Sequence, residues 1–221
     1  MNRLLIDTDQ SECYDTFGQK VPCEGSRQDG ERRTVPSDGE RFQVLSDTVS
    51  DNWTGLTWTR TACIPDGLCD FESASLLAEK LSAENAFRST GWRLPTRWEL
   101  FSLISHQIFN PALPHDHPFT EVSPGCYWTA DSSARLHDEA WYIHLGGGRI
   151  YRGKKHGSYM VWPAIGPAPC QDLSLPRFFV DHTLVHDRLT GLIWLQDLEM
   201  TRAVKWHEAI EKGKSPPLCR V

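Results

Sequence analysis

The sequence predicts an α+β fold: two short helices, a mainly antiparallel twisted sheet, and a C-terminal half-repeat. Three observations lead there. Short apolar runs of period two recur between Gly, Pro and Asp turn signals, the mark of brief strands. Two helix starts early in the chain carry cap residues. Residues 41–60, RFQVLSDTVSDNWTGLTWTR, return at 177–196 as RFFVDHTLVHDRLTGLIWLQ, with nine of twenty positions identical at a spacing of 136 and no gap.

The chain of 221 residues divides on these signals into 1–40, 41–166, 167–176 and 177–221. In the first segment CYDTFGQKVPC places Cys13 and Cys23 around a Gly18 turn, which suits a disulfide-closed hairpin in an oxidising compartment. The polar stretch EGSRQDGERRTVPSDGE follows as a linker without period.

The main domain opens with two short strands around the turn Asp51-x-x-Thr54-Gly55. Gly55 supplies a positive φ, and Leu56 and Trp58 share one face of the second strand. CIPDGLC then predicts a second disulfide, Cys63–Cys69, around Pro-Asp-Gly. Asp70 caps a helix whose buried stripe is Ala74, Leu77, Ala78 and Leu81.

In GWRLPTRWELFSLI (91–104), Pro95 biases Leu94 to extended geometry, so WRLP reads as a strand-like approach. Thr96 and Glu99 form a capping box, with Pro95 and Leu100 at the positions of a hydrophobic staple. Leu100, Leu103 and Ile104 make the buried side of the helix. Arg93 is expected to pair with a carboxylate at the helix start rather than to touch a ligand. Strands follow at 126–130 (CYWTA), 141–145 (WYIHL), 149–151 after a GGG turn, and 158–166 (SYMVWPAIG).

The second copy repeats the paired strands and, after a slip of one residue, the helix: Trp206 and Ala209 match Phe71 and Ala74. It has no counterpart of GWRLPT or of the later strands. A half-repeat cannot bury its own apolar face. It is expected to pack on the first copy, to swap between molecules into a dimer, or to stay poorly ordered.

The order TGLTW, Ala-bearing helix, GWRLPTRWEL, YWTA, WYIHLGGG and SYMVWPAIG resembles the DUF1566 family, also called the Legionella collagen-like protein C-terminal domain, across residues 41–166. The resemblance implies a C-type-lectin-like fold and a secreted, periplasmic or cell-envelope bacterial location. It carries over no functional residue. RLPT before a Trp-Glu helix is also similar to formylglycine-generating-enzyme-like domains. Their copper chemistry needs a late cysteine pair, and GGGRIYRGKKHGSYMVW holds none. The calcium motifs of sugar-binding lectins, Glu-Pro-Asn and Trp-Asn-Asp, are absent.

A formal charge of −6 argues against a general nucleic-acid partner, and no run is long and apolar enough to span a bilayer. MNRLLIDTDQ lacks the apolar centre of a signal peptide. No catalytic constellation, metal site or cofactor motif is expected; His115 and His117 lack a third ligand at suitable spacing. The candidate ligand surface is the basic run RIYRGKKHG: Arg149, Arg152, Lys154 and Lys155, with Tyr151 and Trp162 placed to stack on a sugar. The expected function is a non-catalytic ligand-binding or adhesion module, with an anionic glycan or another envelope protein as partner. The alternatives are a relic of the oxidoreductase type and a structural repeat without ligand.

Overall fold

A computed structural model describes residues 8–31, 40–64, 67–166, 175–196 and 203–212. Their fold is α+β, with antiparallel sheets and few short helices. They fall into two compact units: those of the span 36–169, and those of 7–35 taken with 170–221. Among them no helix is long and apolar enough to cross a membrane. Cys170 and Cys219 lie outside the described residues.

In the smaller unit, β1 (Cys13–Tyr14) and β2 (Lys20–Val21) form a hairpin. Cys13 and Cys23 are disulfide-bonded across it, as their spacing predicted.

The larger unit begins with β3 (Phe42–Leu45), β4 (Thr48–Asp51) and β5 (Leu56–Thr59), an antiparallel meander. Arg41 clamps Asp51 through Nε and Nη2 at 3.2 and 2.9 Å, and the Gly55 amide donates to the Asp51 carbonyl at 2.8 Å. Gly55 takes φ +72°, the left-handed geometry that favours glycine. Leu56 and Trp58 face inward together and are buried.

Helix α1 (Phe71–Ala83) starts where Asp70 accepts from the Ser73 amide and buries Ala74 and Ala78. Helix α2 (Arg97–Phe101) carries the capping box of Thr96 and Glu99. It is shorter than the sequence suggested: the chain turns at Ser102, and Leu103 and Ile104 are buried from that turn. Glu99 also receives both Arg93 nitrogens, at 2.8 and 2.7 Å. The Arg at the helix start is thus the predicted structural pair.

The second sheet is β6 (Cys126–Ser132), β7 (Glu139–His144) and β8 (Arg149–Lys154), antiparallel throughout. The GGG turn between β7 and β8 is tight. A Cβ on Gly148 would lie 2.6 Å from Cγ2 of Ile104.

SYMVWPAIG is not one strand. Pro163 has no amide to donate, and the segment splits around it. Its first half bridges Cys69 and Tyr127, against β6; its second half is β9 (Ala164–Ile165), paired with β5 on one side and bridged to Arg93 on the other. At the crossover sits Trp162, fully buried, its Nε1 donating to the Thr59 carbonyl at 3.0 Å. Trp58, Phe119 and Tyr127 pack around it at 5.6, 4.8 and 5.8 Å. Segment 159–165 therefore stitches the two sheets into one core.

Cys63 and Cys69 are free thiols, which corrects the disulfide expected from CIPDGLC. Different neighbours hold the two backbones: Ala62 donates to Thr120, while Cys69 and Tyr159 exchange two bonds of 3.0 Å. Burial pushes both thiols up, with Glu121 adding to it at Cys63 and Asp70 at Cys69. Cys126 is also free.

The repeat is a repeat of structure. β10 (Phe178–Asp181), β11 (Leu184–Asp187) and β12 (Ile193–Leu195) form the same meander. Arg177 clamps Asp187 at 2.9 and 2.7 Å, the Gly191 amide reaches the Asp187 carbonyl at 2.8 Å, and Gly191 has φ +72°. Helix α3 (Trp206–Lys212) starts at the predicted Trp206.

Candidate functional site

The basic run lies on β8 and the turn after it. Successive side chains of a strand point to opposite faces, so the run cannot act as one patch. The register fixes the division. Arg149 lies opposite His144 and Tyr151 opposite Tyr142, on the face toward Trp128. Arg152 lies opposite Trp141 and Lys154 opposite Glu139, on the face toward α2.

Lys154 is already neutralised. It donates to Asp138 at 2.7 Å and sits 3.3 Å from Glu139. The bond to Asp138 holds the Lys154 ammonium above its ordinary range and the Asp138 carboxyl below its own. Lys155 lies over the Phe71 ring, with Nζ 5.4 Å from its centre. Tyr151 remains 41% exposed and leans on Tyr142 at 5.8 Å. The Tyr142 hydroxyl is pushed up to about 12, by burial first and by Tyr159 second. Trp162 leaves the set altogether: as a sealed core residue it offers no face to a ligand.

On the α2 face a different group comes together. The Arg97 guanidinium carbon lies 4.6 Å from the Trp141 ring centre and 5.5 Å from that of Trp98. Arg152 covers Trp141 from the neighbouring strand at 5.3 Å. Aromatic and guanidinium planes thus alternate: Trp98, Arg97, Trp141, Arg152. Such contacts are each worth about 0.5–1 kcal/mol at exposed sites and hold flexible arginines in place. Trp98 ends the row and is 54% exposed. Glu139 stands 3.9 Å from Arg152, and the Arg97 amide is fixed by Asp131 at 2.6 Å.

This row was missed in the sequence, although its parts were visible. The first turn of α2 turns Glu99 and Leu100 inward, which leaves Trp98 exposed and Arg97 half-buried beside it. Trp141 alternates in phase with Ile143, but Ile143 is sealed in the core while Trp141 is half-buried, covered by the Arg97 side chain of α2 and by Arg152. The half-buried His117 stacks on Phe119 at 6.0 Å, and burial lowers its pKa. Among the described residues no three His, Cys, Asp or Glu side chains are grouped to hold a metal.

The pattern of caps, strands and crossover extends over the region that a family model matches, residues 47–164, described as the Lcl C-terminal domain. The chain belongs to the Lcl C-terminal domain family. No curated protein matches it. The matched span runs from β4 to the first residue of β9 in the larger unit and holds all four residues of the Trp98–Arg152 row; the hairpin β1–β2 and the meander β10–β12 of the Lcl-type chain lie outside it.

Proposed function

We propose that this protein is a non-catalytic binding or adhesion module of a secreted or cell-envelope bacterial protein, and that it takes an anionic glycan along the Trp98–Arg97–Trp141–Arg152 row. The observation that carries the reading is the row itself: two guanidinium groups held by aromatic planes, ending in an exposed indole. An indole face suits the apolar face of a pyranose ring, and a fixed guanidinium suits sulfate or carboxylate. The compartment is read from the family and from the Cys13–Cys23 disulfide, since disulfides persist in oxidising surroundings. Arg149 and Tyr151 lie on the opposite face of the hairpin, outside this row.

The test is calorimetric titration with a sulfated polysaccharide at low salt. Arg152→Gln and Trp98→Ala are each expected to weaken binding about tenfold, consistent with loss of one charged or stacking contact. Lys154→Gln is expected to change it little, because Lys154 is already paired. Failure of the wild-type chain to bind, or equal losses in all three variants, rejects the assignment.

A further inference from the structure

The meander β10–β12 repeats the strand order, the Arg–Asp clamp and the glycine turn of β3–β5, yet its inward face is open. Leu56 and Trp58 are 3% and 0% exposed; their counterparts Leu192 and Trp194 are 41% and 54% exposed. Phe178 and Val180 lie on the same open face. The difference is one of partners. In the first copy β9 pairs with β5, Ile165 opposite Thr57 and Ala164 opposite Trp58, and Trp162 packs against Trp58. Among the described residues, β12 has only β11 beside it.

The sequence of β12 is also not that of an edge strand. Exposed edges are usually blunted by charge or proline. Here Thr57 and Thr59 of the first copy are replaced by Ile193 and Leu195, so β12 is apolar on both sides. Strands apolar on both faces belong inside a sheet.

We propose that β12 accepts an added strand from a partner protein: an extended segment with the β9 pattern of aliphatic, Trp, Pro, Ala, aliphatic. The first copy supplies the template for the fit. The segment runs antiparallel to β12, its Ala opposite Trp194 and its last aliphatic residue opposite Ile193, and its Trp covers Trp194. Main-chain bonds give affinity in strand addition, and the side-chain pockets give selectivity. The chain's own β9 is not the occupant, because it is held between β5 and Arg93 with Trp162 in the core. This surface shares no residue with the Trp98–Arg152 row, so the two readings stand or fall independently.

A synthetic peptide of residues 158–166, SYMVWPAIG, added to the full chain tests the proposal. In the first copy the Thr59 amide points to Pro163 of the added strand, while the Arg60 amide points back to Asp47. By the same alternation, the amides of Ile193 and Leu195 face the open edge of β12. Hydrogen exchange at those two amides is expected to slow at least tenfold on peptide addition, with Trp194 unchanged. A peptide with Trp162→Ala is expected to bind at least tenfold more weakly. The wild-type readout needs no variant of the chain to fold; Trp194→Ala adds a second check, an expected tenfold loss of peptide affinity. No protection at millimolar peptide, or equal binding of a scrambled peptide, overturns the proposal. So does a chain that is already dimeric and becomes monomeric in Trp194→Asp, since a second copy then occupies the face.

Discussion

Replacing Glu99 by glutamine keeps the shape of the side chain and removes its charge. Glu99 is 8% exposed and serves three donors: Arg93 Nη1 and Nη2 at 2.8 and 2.7 Å, and the Thr96 amide at 2.7 Å. An amide in its place has one acceptor oxygen and presents an NH2 group to at least one of those donors. Removing one partner of a buried ion pair costs about 3–5 kcal/mol. The Arg93 side chain is 28% exposed, so solvent recovers part of that loss. A weakened cap adds up to about 1 kcal/mol. The expected total is about 2–4 kcal/mol. With m of about 2 kcal/mol/M, the urea midpoint of the larger unit falls by about 1–2 M. Hydrogen exchange at the buried strand residues Tyr127 and Ile143 reads that unit directly. Arg93→Ala with Glu99→Gln is expected to cost less than the sum of the two single changes, by about 0.5–3 kcal/mol. A loss below about 0.5 kcal/mol for Glu99→Gln, the range of ordinary surface changes, or strict additivity, would refute the dual role of this carboxylate.

Two further outcomes follow from the geometry. Arg177, with Thr190 and the Leu189 amide, holds the Asp187 carboxyl far below its ordinary range. A depressed folded pKa stabilises the folded form above the unfolded value of about 3.9, and that contribution is lost as pH falls through the folded pKa. The Leu189 amide shift, titrated by NMR, is expected to stay flat down to about pH 3; a midpoint near 3.9 rejects the clamp. Gly148→Ala adds a methyl 2.6 Å from Ile104 at φ +60°, whereas Gly147→Ala meets nothing nearer than 3.8 Å. The first is expected to cost about 2–3 kcal/mol and the second well under 1, from overpacking and left-handed strain in the first alone. Equal melting temperatures for the two variants refute that packing.

The candidate site was half legible. Arg152 was readable as a surface cation because a strand flanked by Gly and Lys has a wet face. Its partners were not, because Arg97 and Trp98 come from a helix about fifty residues earlier, and only the packing of α2 on β7 sets them beside Trp141. The same step removed Trp162 from the site. In sequence it resembles any exposed aromatic beside a basic loop; in the fold it is the centre of the core, because the chain crosses from one sheet to the other at that point.

What the sequence alone determined was local. The Asp70 and Thr96–Glu99 caps, the Asp51-x-x-Thr54-Gly55 turn and its copy at Asp187, the Cys13–Cys23 hairpin and the alternation of β7 all depend on interactions within about ten residues. Their chemistry is written in the residues that make them. What only the tertiary structure decided was which apolar face is covered. Leu56-x-Trp58 and Leu192-x-Trp194 are the same words, and both fold into the same meander. One is buried and the other open because β9, more than a hundred residues from β5, reaches only the first. Local bonding shapes a strand, but burial is settled by whatever distant segment arrives to exclude water from it.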